Sequence, residues 1–197
     1  MNNNERNNNI TLRTYQELND FVLAWTEQHI NLLVITSRGG LGKTTVAEKA
    51  TKGKKTLFMN SHITPLELYR SLYHHRGELT VIDDVDSLLK SPVGTGILKS
   101  LCNTVKEKNI QYHSSSPLVA DVPTSYTTTS KVLILANKIN EYSKDVQALL
   151  TRGLWIEFTP RNNEIMKIMQ GMAQDQEVYE YINKRKNATR HLNLRVY

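Results

Sequence analysis

Residues 37–44 read Ser-Arg-Gly-Gly-Leu-Gly-Lys-Thr, placed directly after the apolar run Asn31-Leu-Leu-Val-Ile-Thr36 and opening a helix-forming stretch from Lys43 to about Lys52. A buried strand that runs through a glycine turn into a helix leaves few architectures open, because strand and helix each need an apolar layer to cover them. The pattern recurs downstream. Lys55-Thr-Leu-Phe-Met59, Leu79-Thr-Val-Ile-Asp83, Lys131-Val-Leu-Ile-Leu-Ala-Asn137 and Leu154-Trp-Ile-Glu-Phe158 read as four further strands. Between them, Thr64-Pro65-Leu66-Glu67 carries an N-cap, a proline at the first helical position and a capping glutamate, which predicts a helix over 65–75. Leu98, Leu101, Cys102 and Val105 recur at helical spacing, and 143–151 reads as another helix. Upstream, Leu18, Phe21, Val22 and Trp25 form one apolar stripe of a helix over 14–28. Strands alternating with helices predict a three-layer α/β domain over residues 13–160, built on a parallel five-stranded sheet. Residues 1–12, with Asn at 2, 3, 4, 7, 8 and 9, are expected to be disordered. Residues 161–197 carry short stripes at Ile165, Met169 and Met172 and at Val178, Tyr181 and Ile182, and predict a small basic helical lid.

The chemistry of the glycine turn follows from its backbone. Ser37 to Thr44 matches the Walker A phosphate-loop pattern at its decisive end, Gly42-Lys43-Thr44, with Ser37 where the first glycine normally stands. Small residues at Gly39, Gly40 and Gly42 let successive N–H groups converge on phosphate oxygens at a helix N-terminus, whose dipole favours negative charge. The expected nucleotide contacts are therefore Ser37, Arg38, Gly39, Gly40, Leu41, Gly42, Lys43, Thr44 and Thr45. Lys43 is expected to reach the β- and γ-phosphates of ATP, and the Thr44 hydroxyl to ligate Mg²⁺, which takes hard oxygen donors. Ser37 fits this loop unless its position needs a positive φ, which would weaken the loop by about 1 kcal/mol. Some forty residues on, Asp83 and Asp84 end an apolar strand as a Walker B segment does. Strand alternation places their side chains on opposite sides, with Asp83 holding Mg²⁺ and Asp84 polarising the attacking water. Asp86 reads as a helix N-cap or a surface acid.

These residues, with two more, resemble the AAA+ ATPases. Asn137, at the end of the 131–137 strand, stands where that family carries its sensor 1 residue, and Ala148-Leu-Leu-Thr-Arg152 resembles the stretch that carries its arginine finger. The resemblance covers about residues 30–160 and implies Lys43, Asp83, Asp84, Asn137 and Arg152 as the catalytic set. It implies ATP and Mg²⁺ as cofactors, hydrolysis to ADP and phosphate, and assembly into a ring or filament, a hexamer being the expected size. It extends to compact phage and plasmid ATPases, which implies DNA as the substrate, a helicase or motor role, and a replication or recombination protein as partner. Three departures stand out: Ser37 for glycine, Asp84 for the usual glutamate, and a short lid. Within the lid, Leu192-Asn-Leu-Arg195 resembles the sensor 2 element best, with Arg190 as second choice. An insertion over 111–130, with Tyr112, His113 and Tyr126, occupies the place where some relatives of that family project a DNA-contacting hairpin. A loader or clamp with slow hydrolysis and a small-molecule kinase are the rival readings.

Charge and composition narrow the setting. A net charge of +6 is uneven: Lys184, Arg185, Lys186, Arg190 and Arg195 follow Tyr181 with no acid among them, which suits nucleic-acid phosphate. The apolar share of 39% lies below the usual roughly 45–50%, so subunit contacts are expected to supplement the core. The apolar runs, Leu32 to Ile35 and Val132 to Ala136 among them, are far short of the roughly 18 residues a bilayer span needs, and the N-terminus has no secretory h-region. With a single cysteine, Cys102, the expected compartment is a reducing cytoplasm, with no membrane partner, and the resemblance implies that of a bacterial or phage-infected cell. Cys102 itself reads as a core residue. His74 and His75 are adjacent on a helix and cannot share a metal, and His29, His62, His113 and His191 lack ligand spacing. The serines at 114–116 have no accompanying base.

Overall fold

Alternate residues of each central strand are apolar and buried on opposite faces of the sheet, so two separate clusters form and helices must cover both. The computed structural model describes residues 9–60, 62–113, 121–140, 142–189 and 192–196. In chain order the elements begin with β1 (Asn9–Leu12), α1 (Tyr15–Thr26), β2 (Leu32–Thr36), α2 (Lys43–Thr51), β3 (Thr56–Met59) and α3 (Pro65–His74). They continue with β4 (Leu79–Asp83), α4 (Asp86–Lys90), α5 (Pro92–Leu101), β5 (Lys108–Gln111), β6 (Ser125–Thr128) and β7 (Val132–Ala136). The chain closes with α6 (Lys144–Leu150), β8 (Leu154–Phe158), α7 (Asn162–Met172), α8 (Gln176–Arg185) and a single 3₁₀ turn, Leu194–Val196.

Six parallel strands lie in the order β1-β8-β2-β7-β4-β3. Leu32 and Val34 of β2, Val132 and Ile134 of β7 and Ile82 of β4 face one cluster, closed by α3, α4, α5 and α6. Leu33 and Ile35, Leu133 and Leu135, and Val81 face the other, closed by α1, α2, α7 and Tyr179 of α8. This is the three-layer α/β arrangement, a mostly parallel sheet between helices, consistent with a P-loop nucleoside triphosphatase fold. All five expected strands are present, and the sixth is a correction. Asn9–Leu12, inside the stretch expected to be disordered, pairs in parallel with Trp155 to Phe158 of β8 and buries Leu12. Four residues of weak pattern become a strand because the edge of β8 supplies their backbone partners and Leu12 gains burial there.

Local signals explain the helix ends. The Thr14 side chain accepts from the Glu17 N–H while Glu17 accepts from the Thr14 N–H, a capping box at the start of α1. At the start of α3 the Thr64 side chain accepts from the Glu67 N–H, with Pro65 at the first helical position. Helix α5 ends at Leu101, so Val105 lies beyond it and is half exposed, whereas Cys102 is fully buried. Asp86 is the first residue of α4 and Val85 stands at the cap, so Asp86 is no N-cap. Gly153, between α6 and β8, brings the chain against the start of β2: a Cβ there would lie 2.2 Å from the Leu32 carbonyl oxygen.

The 111–130 insertion is framed by the antiparallel ribbon of β5 and β6. Tyr126 turns inward, donates to the Tyr69 carbonyl, packs tilted against the Tyr69 ring and edge-on to the Tyr73 ring, and Tyr112 packs on Tyr69. Tyr126 is thus core rather than a base-stacking platform, and the serines at 114–116 lie outside the described residues. At the root of the ribbon Lys108 is fully buried and donates to the Ser130 carbonyl, with no carboxylate paired to it among the described residues.

Two outcomes test this packing. Gly153→Ala should lose about 3 kcal/mol or more in urea unfolding, since backbone rather than a flexible side chain must yield. Burial pushes the Lys108 ammonium down to about 8, so the unfolded chain binds more protons between there and its ordinary value, and stability should rise with pH in that window. The neighbouring Cys102 thiol, pushed up to about 12 by burial, has the opposite slope above its own ordinary value. Measured against Lys108→Met, wild type should therefore gain stability as pH rises from about 8 towards 10, and a flat difference would contradict the burial of a charged lysine.

Candidate functional site

Three strands of the sheet end at one crevice. The loop after β2, the acids closing β4 and Asn137 after β7 all stand at the carboxyl ends of neighbouring parallel strands, where open α/β sheets place ligands. A cavity of about 960 Å³ opens there, lined by residues 40–46, Asp83, Asp84 and Asn137, and farther out by Tyr15 and Asn19 of α1 and Ile168 and Met172 of α7.

The loop has the backbone its glycines allow. Gly40 and Gly42 have φ values of +77° and +74°, a region side chains rarely enter, and Gly42 is the N-cap of α2 with no side-chain cap of its own. The first N–H groups of α2, which a helix leaves without an intrahelical partner, belong to residues that line the cavity, and this suits an anion. Ser37 is not among the residues of positive φ, so it sits in the loop without the strain that would weaken it. Lys43 is buried, and its Nζ donates to the Ser37 carbonyl at 3.0 Å, the Ser37 hydroxyl at 2.9 Å and Asn137 Oδ1 at 3.2 Å. Burial pushes the Lys43 ammonium below the usual lysine value, Asp83 pulls it back up and Arg195 pushes it down.

The Thr44 hydroxyl donates to Asp83 Oδ2 at 2.6 Å, joining the start of α2 to the end of β4. A hydroxyl and a carboxylate are hard oxygen donors, and no group of three or more His, Cys, Asp or Glu gathers for a metal among the described residues. Two oxygen donors in a roomy cavity fit Mg²⁺, which keeps waters and takes phosphate oxygens rather than an all-protein cage. Asp84 departs from the alternation expected for it. Its φ is +63°, so the strand geometry has ended, and Asp83 and Asp84 line the same cavity instead of opposite faces.

Other expected residues fall elsewhere. Asn137 lines both this cavity and a second one of about 300 Å³, which also meets Thr36, Ser37 and Trp155, whereas Ser37 and Gly39 do not line the first. Arg38 and Thr45 are exposed, Thr45 on the cavity rim and Arg38 outside it. Arg152 lies where β8 begins, at the end of the sheet opposite the loop, and donates to the Ala148 carbonyl. It therefore cannot reach a ligand in its own chain's cavity. Arg190 and His191 lie outside the described residues.

The tail brings Arg195 of the expected sensor 2 element to the cavity, and adds a backbone contact that the sequence does not signal. Leu192 is buried in the core, the Leu194 N–H donates to the Gly40 carbonyl at 2.7 Å, and Arg195 lines the cavity. Asn193 and Leu194 occupy the space beside Gly40 and Gly42, where an added Cβ would meet them at 3.1 Å. Gly40→Ala should cost about 1–2 kcal/mol in urea unfolding. Paired with Asn193→Ala in a double-mutant cycle, it should show a coupling of at least about 0.5 kcal/mol, and strict additivity would contradict the contact.

No family model and no curated protein sequence matches the chain. Among solved structures, its fold is similar to that of a DNA replication initiation factor, with a TM-score of 0.55 and 13% sequence identity over 91% of this chain. The chain spans 56% of the length of that protein, and at this identity the likeness is one of fold alone.

Proposed function

We propose that the chain is a P-loop ATPase of the AAA+ type that binds ATP with Mg²⁺ and hydrolyses it to ADP and phosphate. The observation that carries this reading is the convergence, in one cavity, of a left-handed glycine loop, the Lys43 ammonium and the Thr44–Asp83 pair. The loop N–H groups and Lys43 bind the phosphate chain, while Thr44 and Asp83 stand where a magnesium ion is held. Magnesium, when bound, offsets charge on the phosphate oxygens. Asp84 accepts the proton of the attacking water and orients it in line, Asn137 hydrogen-bonds the γ-phosphate, and Arg195 adds charge from the tail. Arg152 acts on the site of a neighbouring copy, which makes the active form a ring homo-oligomer, with a hexamer as the expected size.

The fold similarity to a DNA replication initiation factor supports replication or recombination as the setting, and the basic end of α8 supports DNA as the substrate. Lys184, Arg185 and Lys186 are placed there with Tyr181 exposed beneath the Arg185 guanidinium, an alternation that suits single-stranded nucleic acid. One observation favours a slower, switch-like variant of this reading: the carboxylate at 84 is one methylene shorter than the family's glutamate. Among the described residues no helix is long and apolar enough to cross a membrane.

The test is light scattering and turnover together. With a non-hydrolysable ATP analogue the wild-type mass should rise to a multiple of one subunit, and Arg152→Ala should keep nucleotide binding but lose at least about 100-fold in turnover. Asp84→Asn should assemble and not turn over. A mass that stays at one subunit, or an Arg152→Ala variant with full activity, would refute the shared site. Stimulation of turnover by single-stranded DNA marks a motor, and assembly with negligible turnover marks the switch.

A further inference from the structure

The loop departs from the phosphate-loop pattern at one residue, and that residue touches the lysine. Four oxygens surround Lys43 Nζ: the Ser37 hydroxyl at 2.9 Å, the Ser37 carbonyl at 3.0 Å, Asn137 Oδ1 at 3.2 Å and the Arg38 carbonyl at 3.4 Å. An ammonium has three N–H groups, so this set leaves none for another acceptor. The two carbonyls are present whatever side chain stands at 37. The hydroxyl is not, and it makes the shortest of the four contacts. Its own proton goes to the Arg38 carbonyl at 3.0 Å, which turns its lone pairs towards the ammonium, and Ser37 is buried with a relative exposure of 5%.

Resting on the nucleotide-binding reading, we propose that the Ser37 hydroxyl is a positioning residue, a latch that holds the Lys43 ammonium against the loop backbone and that the β- and γ-phosphates must displace. A charge-assisted hydrogen bond in a buried site is stronger than one between neutral groups, so its exchange for a phosphate contact is a real cost to the incoming ligand. Glycine at this position, as in the usual pattern, has no such contact to give up. The latch also bears on Asn137, because both residues grip the same ammonium: when Lys43 moves to phosphate, Asn137 Oδ1 loses that donor and is free to accept from the attacking water, while its Nδ2 donates to the γ-phosphate. Ser37 thereby opposes nucleotide binding and couples the occupancy of the loop to the residue after β7.

The test is displacement of a fluorescent ATP analogue by ATP, ADP and AMP from wild type and from Ser37→Ala, Ser37→Gly and Ser37→Thr. Ser37→Ala removes the hydroxyl and keeps the Cβ, and Ser37→Thr restores a hydroxyl. ATP and ADP should bind Ser37→Ala and Ser37→Gly about ten-fold more tightly than wild type, with Ser37→Thr close to wild type. AMP, which has no β-phosphate for Lys43 to reach, should bind all four alike. A role in packing alone would shift AMP with ATP, and this result overturns the latch. ATP binding equal to or weaker than wild type in both hydroxyl-free variants overturns it as well. Failure of every nucleotide to bind any of the four proteins overturns the nucleotide reading itself, whereas equal ATP binding by wild type and Ser37→Ala overturns only the latch.

Discussion

The parallel pairing of β2 with β7 on one side and β8 on the other is the constraint from which the site follows. A strand buried on both faces must be apolar along its length, and its polar turn can lie only at an end. Because β2, β7 and β4 run in the same direction, their carboxyl ends come together, and the residues just beyond them meet without any further device. Thr44 and Asp83 are 39 residues apart in sequence and 2.6 Å apart in space for this reason. Gly153 serves the same pairing from the other end, where only a residue without a side chain admits the approach of β8 to the Leu32 backbone.

Legibility in the sequence tracked the length and period of each signal. Leu32 to Ile35 and Val132 to Ala136 are continuous apolar runs, and Leu79 to Ile82 is interrupted only by the buried Thr80; a strand buried on both faces requires such a run, and each is a strand. Asn9–Leu12 carries no such run and owes its strand to the edge of β8. Asp84 was legible as a carboxylate in the right place but not in its direction, because alternation stops where φ becomes positive, and no residue type announces that at an aspartate. Tyr126 was legible as an aromatic in a polar loop, yet its ring is drawn into the Tyr69 and Tyr73 cluster by packing that no local pattern encodes.

The walls of the cavity were the least legible part. Tyr15, Asn19, Ile168 and Met172 come from α1 and α7, which read as ordinary amphipathic helices, and only the closure of both over one face of the sheet makes them neighbours. The tail is similar. Leu192-Asn-Leu-Arg195 was singled out for its arginine, whereas the contact that fixes it is the Leu194 N–H on the Gly40 carbonyl, a backbone bond that any residue but proline supplies. With Asn193 and Leu194 filling the space beside two left-handed glycines, loop and tail form one packed unit, and the glycines are needed both for their φ and for that contact.

The central claim is that backbone N–H groups of residues 39–44, backed by Lys43, close on a triphosphate. Amide hydrogen exchange of the full chain with and without ATP and Mg²⁺ reads those groups directly. The account predicts that ATP slows exchange across this loop at least about ten-fold in wild type, and that Lys43→Ala abolishes the protection. Exchange in the loop that is the same with and without ATP, or protection that survives unchanged in Lys43→Ala, would contradict it.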